Sequence, residues 1–479
     1  MDDIAKGIEQ VANAITVYGT MWILIGTGLF LTWRTRAVQL RLFRHMVHVV
    51  LGSRAGSKDG ISSFQAFTIS LAARVGIGNV FGVAAALLMG GPGAIFWMWV
   101  VALVGMATAF FEAVLAQVFK VDAGDGTFRG GPAYYMRYGM NSKIMGAVFA
   151  IITVVTCGVV ITSVQSNAIA STLSATAKTS APVTAVILFV LGAPIIFGGI
   201  RSVARVTEIM APVMALMYIV MAFAIVLINI KQFPHVIGSI INSAFAPEPL
   251  VGGLGGGILA AVINGTKRGL FSNEAGQGTA PNAAATATVA HPVSQGLIQS
   301  LGVFVDTILV CTATAFIILD AGPEVWMGEG VNPANLTTLA VAHELGNWSI
   351  IPMAIMIFVL AFSSIIGAYV YSEVNMFFVT SSKIGTWIVR VASVFSIVLG
   401  ALVSLNIVWA TVDIAMAVMT ITNLIALVML SKWGVAALRD YEKQRKAGIS
   451  EPQFVASECD GLPQLPAESV WNRKDVLQA

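Results

Sequence analysis

Apolar positions along this chain gather into eleven long runs, at about 15–33, 64–88, 93–119, 144–173, 182–200, 206–230, 256–288, 295–319, 350–378, 385–404 and 408–430. A helix needs roughly 20 apolar residues to cross the hydrocarbon core of a bilayer, so the pattern predicts eleven spans. Ahead of the first, Ile4, Ile8, Val11 and Ile15 recur at helical spacing and predict a short amphipathic lead-in. After it, Val38, Leu42, Phe43, Met46, Val47 and Val50 form an apolar stripe on a basic segment from Arg34 to Lys58. Such a segment is expected to lie on the membrane surface. Two further elements are expected outside the spans: a short helix between Asn332 and Gly346, and a helix after Ser431 that fades into a loosely ordered tail.

Two runs break their own pattern. The second carries Arg74, Gly76, Gly78 and Asn79 at its centre, where neither glycine nor a polar side chain suits a continuous helix in lipid. Glycine pairs also serve close helix packing, but packing does not require a guanidinium at mid-membrane. A broken helix is expected, and its freed backbone must line a protein-enclosed cavity. The carbonyl end of the first half, Ala72 to Val75, would suit a small cation, and the amide end from Gly78 a carboxylate.

Five spans later, Asn264 to Pro281 is the most polar stretch inside any run and predicts a second break. Reading it as a loop between two spans would add a crossing and place the basic tail on the wrong side. Paired breaks in corresponding spans predict an inverted repeat with a binding site between the halves. The expected division is 1–60 (extra span and surface segment), 61–232 (first five-helix repeat), 233–255 (external linker), 256–431 (second repeat) and 432–479 (tail).

Composition agrees with a membrane protein: 57% of the 479 residues are hydrophobic and only 11% are charged, with a mean hydropathy of +0.83. The net charge of +3 hides a strong asymmetry. Arg34 to Lys58, then Lys120, Arg129, Arg137 and Lys143, then Arg201 and Arg205, Lys383 and Arg390, and the tail all fall on one side. The other side holds Lys6, Lys178 and Lys231, and the segment 320–349 has no Lys or Arg. The positive-inside rule therefore places the N-terminus outside and the C-terminus in the cytoplasm of a multi-pass plasma-membrane protein. No nucleic-acid partner is implied. No cleavable signal is expected, since Met1-Asp-Asp-Ile lacks a basic stretch.

Cys157, Cys311 and Cys459 lack metal or redox spacing and are expected as free thiols, and His343-Glu344 lacks the second histidine of a zinc protease. The five histidines lie in loops or near span ends, so an enzyme is not expected. A channel would also expose mid-membrane backbone, but it would pass current far exceeding solute flux. Polar residues at membrane depth remain to be placed: Gln165, Asn167, Asp306, Ser363, Ser364, Tyr369, Glu112 and Glu373. Arg74 needs an acid, for which Glu274 and Asp306 are the candidates. Glu112 and Glu373, near span ends, are expected to be solvated at the interface or to serve a cytoplasmic gate.

Ser70-Leu-Ala-Ala-Arg-Val-Gly-Ile-Gly-Asn79, Gly90-Gly-Pro-Gly-Ala-Ile-Phe-Trp-Met-Trp99, Phe128-Arg-Gly-Gly-Pro-Ala-Tyr-Tyr135, Val164-Gln-Ser-Asn167 and Phe271-Ser-Asn-Glu-Ala-Gly-Gln-Gly-Thr-Ala-Pro-Asn282 closely resemble the alanine or glycine:cation symporter family of the amino acid-polyamine-organocation superfamily. The resemblance implies an all-α polytopic fold of leucine-transporter type, one extra helix before a 5+5 inverted repeat. It implies Na⁺ held by carbonyls of Ala72, Val75 and Leu360 and by the hydroxyls of Ser363 and Ser364. The substrate carboxylate would meet the amides of Gly76 and Gly78, with Asn79 and Gln165. Its ammonium would meet carbonyls around Arg74, Gly265 and Thr266. Many members carry Trp where this chain has Ala368, so a pocket there could admit a larger side chain.

The function so implied is Na⁺-coupled uptake of a small neutral amino acid, alanine or glycine, by alternating access in a monomer set in membrane lipid, with no cofactor beyond the coupling ion. The alternatives are proton coupling through Glu274 or Asp306, and a larger neutral substrate such as glutamine.

Overall fold

The computed structural model describes residues 10, 11, 13–53, 60–246, 257–403, 405–463, 465 and 469–472. Most of the amphipathic lead-in around Ile4 and Ile8, together with Arg54, Lys58 and Lys474, lies outside them. Among the described residues the regular structure is helical apart from a hairpin of two-residue strands pairing Val121–Asp122 with Phe128–Arg129 and two isolated bridges.

Among the described residues, eight helices are long and apolar enough to cross a membrane, and one bent pair makes up to nine. The principal elements are α1 (Met21–Arg34), the bent pair α2 (Ser63–Arg74) and α3 (Val83–Gly90), α4 (Gly93–Val118), α5 (Lys143–Ala177), α6 (Ala181–Phe197) and α7 (Gly199–Ile228). They continue as α8 (Gly257–Asn273), α9 (Ala280–Ala284), α10 (Pro292–Asp320), α11 (Leu336–Leu345), α12 (Ile350–Val379), α13 (Lys383–Leu402) and α14 (Leu405–Lys446). Against the eleven runs, α6 and α8 are the two that stop short, at 17 residues each.

The basic stripe after α1 folds as two short helices, Val38–Arg41 and Phe43–Gly52. α11 is the helix expected between Asn332 and Gly346, closed by Gly346 at φ 89°. Among the described residues of the tail, two aromatic side chains are docked on the bundle. Phe454 is buried and its N–H donates to Ala290 O, and Trp471 Nε1 donates to Gln117 O.

Packing is inverted relative to a soluble protein. Large apolar side chains such as Val186, Val190, Phe223, Ile388 and Phe395 are exposed on the outside of the bundle, where lipid would meet them. Arg74, Asn79, Glu112, Glu274 and Asp306 are buried inside. α4 packs along α8 and α10; α12 packs on α2 and α5; α13 packs on α5 and α6. The two interrupted regions are therefore enclosed by neighbouring helices, as unpaired backbone in a bilayer requires.

Candidate functional site

α2 begins with a capping box, in which Ser62 and Gln65 satisfy each other's backbone N–H groups. It ends at Arg74, and Val75 leaves helical geometry at ψ 84°. The chain then resumes as a wider π-helical turn at Gly78–Gly82 and continues as α3, bent 46° from α2. The break expected around Arg74–Asn79 is present.

Its polar atoms are taken up one by one. Asn79 Oδ1 accepts from Gly76 N at 2.9 Å, and Asn79 Nδ2 donates to Asp306 Oδ1 at 2.7 Å and Ser272 Oγ at 3.0 Å. Asn79 O accepts from Thr314 Oγ1 at 2.7 Å and Val80 O from Thr337 Oγ1 at 3.4 Å. Asn79 thus acts as a cap for the break and ties it to α10. The Gly76 N–H expected to meet the substrate carboxylate is here donated to Asn79 Oδ1.

On the opposite side of the break lies α12. Ser363 Oγ donates to Ala72 O at 3.0 Å and to Leu360 O at 2.7 Å; Ser364 Oγ reaches the same two carbonyls at 3.1 and 3.2 Å. Four of the oxygens assigned to Na⁺ thus converge, with Val75 buried at the adjoining helix end. A methyl group added at Gly76 would overlap Ser364 Oγ and come within 3.4 Å of Gln165 Nε2. The Gln165 amide, buried and with Oε1 unpartnered, therefore faces the same point from α5. Gly367 of α12 packs on Ala73 so closely that a Cβ there would stand 2.8 Å from the alanine methyl. Ala368 is buried one turn beyond Ser364.

Arg74 forms no direct salt bridge with either acid proposed for it. Its Nη1 donates to Gln299 O at 3.2 Å, while Nε and Nη2 are buried without hydrogen-bond partners. Its charge acts on the carboxylates of Glu112, Glu274 and Asp306 at longer range. One cation is shared among three acids; Asp306 is held by Asn79, Ser272 and Thr307, and Glu274 by Thr279 and Tyr371.

The second break falls at the C-terminal end of the expected Asn264–Pro281 stretch. Gly265 and Thr266 lie inside the uninterrupted α8, so their carbonyls are not freed by a break. The polarity of this stretch has another cause: Lys267 and Arg268 face Asp413 of α14 at 3.2 and 3.6 Å. Gly265 is small because Ala94 O and Trp97 of α4 press against it. The interruption falls at 274–279, where Glu274, Gly276 and Gly278 have φ of 56°, 95° and 79°. A left-handed non-glycine residue is strained and persists only where its surroundings hold it.

Glu112 provides much of that hold, and sequence reading missed it. Its carboxylate accepts from Gly276 N at 3.1 Å, Gly278 N at 2.9 Å and Asn423 Nδ2 at 2.6 Å, and Asn423 also donates to Gly276 O at 2.9 Å. Glu112 is 1% exposed and so is not solvated at the interface. The available signal was a lone acid within an otherwise apolar 26-residue helix. Glu373 is likewise buried rather than solvated, with Tyr369 donating to it and Arg129 and Arg390 at 4.0 and 3.8 Å.

The first break meets the end of α8 just ahead of the second. A Cβ on Gly78 would lie 3.1 Å from Ser272 Cα and from the Phe271 ring, so the last turn of α8 abuts the amide end of the first break. The first break is thus bordered by the α12 hydroxyls and the Gln165 amide at Gly76, and by the end of α8 at Gly78. Residues 1–456 match the sequence profile of the sodium:alanine symporter family. The chain belongs to that family.

Similar proteins agree. The amino-acid carrier protein AlsT of Bacillus subtilis is 46% identical over 92% of this chain and 93% of its own length. The probable sodium/glutamine symporter GlnT of the same organism is 43% identical, covering 95% and 94%. The sodium/alanine symporter AgcS of Methanococcus maripaludis is 36% identical, covering 92% and 99%. In fold, the chain is similar to the manganese transporter of Eremococcus coleocola, with a TM-score of 0.50 and 15% identity over 79% and 78% of the two chains. This sodium:alanine symporter family member is a multi-pass membrane transporter, and the family implies Na⁺ as its coupling ion.

Proposed function

We propose that this protein imports a small neutral amino acid, alanine or glycine, by coupling it to inward movement of Na⁺ through alternating access. The observation that carries the reading is the meeting of Ala72 O, Leu360 O, Ser363 Oγ and Ser364 Oγ beside Gly76 and Gln165. Carbonyl and hydroxyl oxygens suit a hard monovalent ion, as do the oxygen sites of other hard cations. Na⁺ would be held by Ala72, Val75, Leu360, Ser363 and Ser364, bridging α2 to α12.

The substrate carboxylate would take the amides of Gly76 and Gly78 with Gln165, Asn79 swinging from Gly76 N as it binds. The ammonium would meet the last carbonyls of α8, around Phe271 to Asn273, which carry the negative end of that helix. Each Na⁺ entering releases roughly 2.3 kcal/mol per 100 mV, enough for more than a tenfold solute gradient. The spans are read as one extra helix and a 5+5 inverted repeat, with the basic face in the cytoplasm.

The test is uptake of labelled alanine into liposomes under an inward Na⁺ gradient, with K⁺ and proton gradients as replacements. Uptake that needs Na⁺ supports the reading; equal uptake driven by protons alone moves the coupling to Glu274 or Asp306. A larger substrate such as glutamine is the second reading, favoured by Ala368 and by the likeness to the probable glutamine symporter. Competition by glycine, serine, D-alanine and glutamine ranks the two.

A further inference from the structure

Where α1 ends, Arg36 and Ala37 both adopt left-handed geometry, at φ 54° and 53°. Two successive non-glycine residues in that region cost free energy that the surroundings must repay. The turn carries Arg34, Arg36 and Arg41 to one side of a cleft of about 380 Å³, and α14 lines the other with Arg439, Lys443 and Lys446. Glu442 is the acid in this lining and lies 2.7 Å from Arg41, whose Nη2 also donates to Thr35 O at 3.0 Å. Six cations and one carboxylate leave five positive charges around a space the size of a small ligand pocket.

Two ordinary explanations account for only part of this. Basic residues in the last turn of α14 offset its negative end, but Arg439 stands two turns earlier and α1's residues belong to another element. Topology signalling needs cations in a loop, but it does not need two segments 400 residues apart to face each other, nor a strained turn. Arg34 Nε is moreover buried without a partner. Trp33 and Leu40, 74% and 67% exposed beside the cleft, are the kind of side chains found where the bilayer meets water.

We infer that this cleft binds a phosphate-bearing anion, supplied by an anionic phospholipid head group or by a soluble phosphate compound. The bound phosphate would neutralise the facing arginines and clamp α1 to α14, whose Asn423 holds the second break.

The experiment uses the full chain in nanodiscs, with thermal melting and native mass spectrometry as readouts. In phosphate-free buffer, discs of phosphatidylglycerol should raise the melting temperature over phosphatidylcholine discs, with phosphatidylglycerol retained on the ejected protein. In phosphatidylcholine discs, pyrophosphate is titrated; stabilisation there at submillimolar concentration and none by phosphatidylglycerol assigns the soluble source. Anion binding should weaken about fivefold for each cation removed, hence roughly 25-fold in R34Q/R439Q. If that variant does not fold, R36Q/K446Q, altered only at exposed positions, takes its place. K143Q/K383Q, charge-matched and outside the cleft, should bind as the parent does. Absence of stabilisation by either anion, or equal weakening in the charge-matched control, overturns the inference.

Discussion

Gly76→Ala offers the sharpest probe of the first break, because the structure supplies its own control six residues away. A Cβ at Gly76 overlaps Ser364 Oγ and lies 3.2 Å from Ser364 Cβ, while at Gly82 it meets only Phe271 Cδ1 at 3.8 Å. The serine hydroxyl cannot simply turn aside, since it is held by Ala72 O and Leu360 O, the carbonyls proposed to share Na⁺ with it. Forcing an extra methyl into a filled space costs roughly 1–3 kcal/mol. If that cost falls on the ion site, the Na⁺ concentration for half-maximal alanine uptake rises roughly 5- to 150-fold. Gly82→Ala should stay within about twofold, with any stability change following helix propensity. In the pair Gly76→Ala with Ser364→Gly, the clash is relieved but a ligand is lost, so melting should recover while the Na⁺ requirement stays high. Unchanged Na⁺ dependence in Gly76→Ala, or equal damage in Gly82→Ala, would refute the reasoning.

Three other outcomes are expected. Glu112→Gln replaces an acceptor of three N–H groups by an amide that must turn its own NH₂ toward one of them, which should cost about 2–4 kcal/mol and lower the melting temperature in detergent; an unchanged melt would show that Glu112 does not hold the second break. Ala368→Trp should cut inhibition of alanine uptake by glutamine more than that by glycine, and equal losses would remove Ala368 from the pocket. Burial pushes the Lys120 ammonium down to about 7 from an ordinary 10.5, against the pull of the Phe128 and Trp471 rings at 4.2 and 5.0 Å. Between those values the unfolded chain binds the extra proton, so stability should rise with pH from about 7 to 10.5; Lys120→Met should flatten that rise in a melting series.

The first break was legible in the sequence because Arg74 and Asn79 flank glycines at mid-span, a combination that helix packing does not explain. The serine pair on α12 was legible through the family resemblance. The second break lies within the predicted stretch, but its freed carbonyls were assigned to Gly265 and Thr266, since sequence does not separate a glycine that admits a neighbouring helix, such as Gly265, from one that needs positive φ, such as Gly276. The Lys267 and Arg268 charges drew attention to the wrong end of α8, and their partner Asp413 lies 145 residues or more away in the chain. Glu112 was given another role and Asn423 none for the same reason: their role exists only where α4, α14 and the loop 274–279 converge. Arg74 was read as half of a pair, whereas it is a cation spread over three acids.

Symport of this kind requires Na⁺ and amino acid to favour one arrangement of the first break, and reciprocal binding tests that most directly. Calorimetric titration of alanine into the purified protein at increasing Na⁺, with K⁺ holding ionic strength, should show affinity rising with Na⁺. Na⁺ affinity should rise by the same factor when alanine is present, and this coupling should vanish when Ser363 and Ser364 are both replaced by Ala. Alanine binding equally tight in Na⁺ and in K⁺ would contradict it.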